Sequence, residues 1–147
     1  MCPPGIPRAG INGPRGWPNI CAFSVPHQMP AAHAAPRPER WEADAGAGDV
    51  AHLDIPADAH RDRDFEVSCT FVVAHRSVDE PAHGLRVMVD GRHQWSREVP
   101  THPGGQDSLD VNFRRTVPAG MPLRITAIGS VKGSVRVKLH VVAEEQR

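Results

Sequence analysis

The chain of 147 residues has no tyrosine, three cysteines and only two lysines, Lys132 and Lys138. Each scarcity excludes something. Without tyrosine, and with every phenylalanine except Phe23 falling at an apolar position of an alternating run, exposed rings for stacking bases are missing, which argues against a single-stranded nucleic-acid module. The same shortage leaves no obvious aromatic platform for a sugar. No C-x-x-C pair occurs, which argues against a thiolate zinc site. The cysteine count is odd, with Cys2 and Cys21 near the N-terminus and Cys69 on an apolar strand face, a usage that points to a reducing, cytoplasmic compartment. No window of about 18 apolar residues is present, so no membrane-crossing helix is expected. Basic and acidic groups are equal at 17 each, so the strong positive footprint of a nucleic-acid binder is absent too.

The zero net charge conceals two unlike segments. Residues 1–40 hold nine of the fifteen prolines and carry a charge of +3, from Arg8, Arg15, Arg37 and Arg40 against Glu39; residues 41–147 carry −3. Proline fixes φ and removes a backbone donor, so residues 1–40 are expected to be a disordered, extended leader, serving as a proline-rich ligand or as a spacer. Prolines 14, 18, 26 and 30 interrupt every apolar stretch that a signal peptide would need. Met29 offers a later start, and the leader is expected to be dispensable for folding.

Residues 41–147 alternate with period 2. Phe65, Val67, Cys69, Phe71 and Val73 share one parity against Glu66, Ser68 and Thr70, the pattern of a half-buried strand. Similar runs occupy 85–89, 92–99, 109–117, 121–128 and 135–143, with a weaker one at 49–55. Asp90-Gly91 is the strongest two-residue hairpin signal, because both positions tolerate φ > 0. Six or seven short strands with turns every eight to twelve residues predict an antiparallel β-sandwich, immunoglobulin-like or jelly-roll-like. Trp41 is placed to dock onto it, and the run Arg61-Asp62-Arg63-Asp64 reads as a solvated connector.

Successive antiparallel strands bring three connections, 75–83, 100–108 and 129–134, to one end. Long loops on a rigid sandwich are where sites are usually built. His75, His83 and His102 fall in them, with Asp79, Glu80 and Asp107 nearby. Three imidazoles and a carboxylate have the chemistry of a Zn²⁺ or Cu²⁺ shell, although the spacing matches no metal motif and polar-loop histidines are usually solvated. A second pattern is cationic: Arg86, Arg114, Arg124, Arg136 and Lys138 share the outward parity of their strands. If those strands share a sheet, they form a face for an anion or an acidic partner; otherwise they are solvated charges that blunt edges.

No G-x-S-x-G elbow and no phosphate-cradling glycine motif is present, so no catalytic residue and no nucleotide cofactor is expected. The function read from the sequence is a small non-catalytic binding module that meets a protein partner through the three loops. The alternatives are a histidine-rich zinc or copper protein, or small metalloenzyme, with its site at that end, and a structural subunit of a homo-oligomer.

Overall fold

The computed structural model describes residues 37–147 apart from 77 and 78. Residues 1–36 of the leader, with Cys2, Cys21, Met29, His27 and His33, lie outside the described residues. Eight strands follow one another: β1 (Arg40–Gly46), β2 (Val50–Ile55), β3 (Arg63–His75), β4 (Ala82–Val89), β5 (Arg92–Pro100), β6 (Gln106–Val117), β7 (Leu123–Lys132) and β8 (Ser134–Gln146). No helix long and apolar enough to cross a membrane occurs among the described residues.

The strands form two antiparallel four-stranded sheets, ordered β1-β8-β3-β6 and β2-β7-β4-β5. Strand β4 pairs with β5, β3 with β6, β2 with β7 and β1 with β8. This is one long hairpin, folded at Asp90-Gly91 and wrapped so that successive pairs alternate between sheets: the jelly roll. Asp90 and Gly91 both have positive φ, 51° and 79°, as a two-residue hairpin turn requires.

Alternation places the core. Phe65, Val67, Cys69, Phe71 and Val73 from β3 meet Leu85, Val87 and Val89 from β4 and Leu123 and Ile125 from β7, all buried. Strand β1 adds Trp41, Ala43 and Ala45, which pack against this core. The sandwich therefore begins ahead of position 41, with Arg40 already in β1.

One stretch departs from the simple alternation. Lys138 pairs with Val72 but Arg136 pairs with Val73, so Val137 is an extra, bulged residue in β8. A bulge reverses the parity on its far side. Val135 and Val137, expected inside, are 36% and 38% exposed. Arg136, expected outside, turns inward and its Nε donates to the Gly129 carbonyl at 3.3 Å.

The run 61–64 also differs from expectation, because it supplies charge to one end of the core. Arg63 is 3% exposed; it donates to Glu39 at 3.0 Å and to the Pro56 carbonyl at 2.7 Å. Arg61 donates to Glu145, Glu39 and Asp58.

Candidate functional site

The connections at the other end are shorter than the sequence suggests: 76–81, 101–105 and the single residue Gly133. His75 terminates β3 and His83 lies within β4, in register with Val99 of β5 and Val131 of β7. The connections are tied to one another through the backbone. The His75 amide donates to Gly105, Arg76 to Gly133 and Thr101 to Pro81, at 3.0, 3.3 and 2.7 Å.

His83 is 1% exposed because its position continues the inward parity of Leu85, Val87 and Val89. Its Nδ1 lies 2.8 Å from Thr101 Oγ1, which lies 2.8 Å from Ser134 Oγ. The ring meets Phe71 edge-on, with centroids 6.2 Å apart. Nε2 is buried without a hydrogen-bond partner. Burial holds the imidazole pKa below its ordinary value, and the Asp107 carboxylate pulls the other way. The Thr101–His83 pair has the elements of a nucleophile and its base, but both side chains are sealed in the sandwich, leaving no room for a substrate carbonyl.

His102 is exposed and structural in its contacts. Its amide donates to Asp107 at 2.9 Å and its Nδ1 accepts from the Gly104 amide at 3.0 Å. That first hydrogen bond is the main reason the Asp107 carboxyl sits below the usual carboxylate range. Among the described residues no three His, Cys, Asp or Glu side chains come together to hold a metal ion, so His75, His83 and His102 share an end of the fold without forming such a group.

The five cations do not form one face. Arg86 and Arg124 are exposed on the β2-β7-β4-β5 sheet, and Arg114 and Lys138 on the other sheet; Arg136 points inward. Arg124 is paired with Asp54 at 2.6 Å, which raises its pKa.

Between β4, β5 and β7 lies a surface feature that the sequence reading missed. Gly84 sits in the central strand β4, opposite Glu98 on β5 and Ser130 on β7. Its missing side chain leaves a trough of about 370 Å³, lined by Gly84, Leu85, Arg86, Ser96, Arg97, Glu98, Ile128 and Ser130. A Cβ at Gly84 would stand 2.8 Å from Ser130 Oγ. Arg86 and Glu98 flank this trough on its outward face, and neither makes an ion pair among the described residues. The same sheet face continues into a wider groove that includes His52, Asp54, Asp90 and Arg124. The signal available in the sequence was an isolated glycine inside an alternating run, which marks a bulge or a close approach.

No family model matches the chain, and no curated protein matches it. Among solved structures it is similar to the crystal structure of dimeric latent PorU from Porphyromonas gingivalis, at 14% identity and a TM-score of 0.46, over 74% of this chain and 13% of that one.

Proposed function

We propose that the chain is a small non-catalytic binding module that takes a protein partner where the three connections adjoin the trough over Gly84. The observation that carries this reading is the trough itself. It is a concave surface on a rigid sheet, with a guanidinium (Arg86) and a carboxylate (Glu98) on its rim that make no ion pair among the described residues. Groups left unpaired in this way are available to an incoming chain, and the paired strands β4 and β5 supply them in fixed register.

Site-specific photo-crosslinking in the producing cell tests this reading. A crosslinker at Ser96, in the trough, is expected to give a discrete adduct that Arg86→Glu abolishes. One at Asn112, on the outer face of the other sheet, is expected to give none. An adduct of twice the 16.0 kDa chain mass would identify the partner as a second copy. No adduct at Ser96, or equal adducts at both positions, would overturn the proposal.

A further inference from the structure

The three connections at the histidine end share one fastening. Thr101 opens the 101–105 connection, Ser134 follows Gly133, and His83 follows the 76–81 connection by one residue. Their side chains form one row, imidazole to hydroxyl to hydroxyl, with both spacings 2.8 Å; His83 and Thr101 are buried and Ser134 is half-buried. The row forms with either neutral tautomer. If Nδ1 carries the proton, it donates to Thr101, and Thr101 donates to Ser134. If Nε2 carries it, Nδ1 accepts from Thr101. A second proton fills both nitrogens and leaves a charged Nε2–H in a position where no acceptor stands.

The surroundings offer that charge little relief. Strand β3 presents the Phe71 ring and ends at His75, β5 presents Val99, and β7 presents Val131 before the exposed Lys132. Arg136 of β8 adds a like charge to this end, its Nε held by Gly129. Asp107 of β6 is an opposing charge that reaches the imidazole, and its two oxygens already accept from the His102 and Ser108 amides.

We propose that His83 is an acid-operated latch: protonation of its imidazole releases the backbone ties of His75, Arg76 and Thr101 together while the rest of the sandwich stays paired. Because Gly84 adjoins His83, release also loosens the top of the trough. The sign follows from burial. The ring's folded pKa lies below the unfolded value of about 6.5, so the fastening is intact above that pH and is lost as pH falls below it.

Amide hydrogen exchange on the full chain, expressed as protection factors, tests the latch. Protection of the tie amides His75, Arg76 and Thr101 is expected to fall about tenfold per pH unit below pH 6.5, as uptake of one proton requires. Protection across the β2–β7 pairing is expected to stay constant. In His83→Gln, which keeps a donor and an acceptor but does not titrate, the tie amides should lose this pH dependence. Unchanged protection in the parent chain, or an equal fall in the variant, overturns the latch. If the variant does not fold, ¹⁵N-histidine shifts of the parent decide: His83 titrating at the unfolded value of about 6.5 overturns it.

Discussion

Gly129 and Phe71 show how little room the core leaves. A Cβ at Gly129 would lie 2.6 and 2.7 Å from the Cε1 and Cζ atoms of the Phe71 ring. Phe71 is fully buried and also supports the His83 ring, so it has nowhere to move. The glycine is needed for space rather than for its backbone angles. Gly129→Ala is therefore expected to cost about 2 kcal/mol by overpacking, lowering the melting temperature by roughly 8–16 °C for a domain of this size. Denaturation monitored by circular dichroism checks this. A loss below 0.5 kcal/mol, within the ordinary range for surface changes, would mean that the ring relaxes more easily than its burial implies. Cys69 belongs to the same interior: burial pushes its thiol up to about 12, which makes it a packing residue and not a nucleophile.

Edge strands expose the next constraint. β5 and β6 end their sheets on the same side of the sandwich. Each carries an arginine at inward parity: Arg97 opposite Leu85 and Arg115 opposite Phe65. An inward charge on an edge strand discourages another strand from adding there. The Arg115–Asp90 pair is 3.8 Å long and nearly half exposed on both sides, so it adds little stability. The double variant Arg97→Val/Arg115→Val is thus expected to fold and to self-associate, with a light-scattering mass that rises with concentration relative to the parent. An unchanged mass would show that the edges are protected by other means. Legibility in the sequence also varied by element. The strands from β3 to β8 were visible because valine, phenylalanine and leucine alternate strongly with polar residues. Strand β1 was missed because Ala43 and Ala45 give a weak signal and its partner, β8, lies about 100 residues away. The parity of β8 failed beyond Val137, because a bulge is fixed by pairing with Val72 and Val73 and leaves no trace in Val135-Arg136-Val137. His83 was assigned to a loop because a polar residue interrupted the reading of β4, although 83, 85, 87 and 89 share one parity. The trough needed three strands in register, which no single segment encodes.

At the scale of the whole molecule, the two ends are closed by different chemistry, and the second closure starts with Glu39. Glu39 accepts from Arg63, Arg61 and the Trp41 indole, at 3.0, 3.1 and 3.0 Å. Its backbone amide donates to Glu145 at 3.0 Å, and its carbonyl accepts from the Glu145 amide at 2.8 Å. One residue thus joins the start of β1, the entry to β3 and the end of β8. Without it, buried Arg63 would keep the Pro56 carbonyl but lose its carboxylate, and losing a charged partner of this kind costs about 2–3 kcal/mol. A leader boundary at residue 40 therefore cuts into the fold. A chain starting at Trp41 is expected to be less stable at pH 7, by about that amount, than one starting at Arg37. The difference should depend on pH with a definite sign. Arg61, aided by the Glu39 amide, holds the Glu145 carboxyl below its ordinary range. A carboxylate depressed on folding contributes stability that is present above its unfolded pKa, about 4.3, and is lost as pH falls below it. The chain starting at Trp41 lacks the Glu39 amide's share of this, so the gap between the two chains should be full at pH 7 and narrow as pH falls below about 4.3. Urea midpoints for both chains across this range measure it. Equal stability at pH 7 would show that Arg63 finds another partner when Glu39 is removed; a gap that persists in acid would assign it to lost strand packing instead of charge.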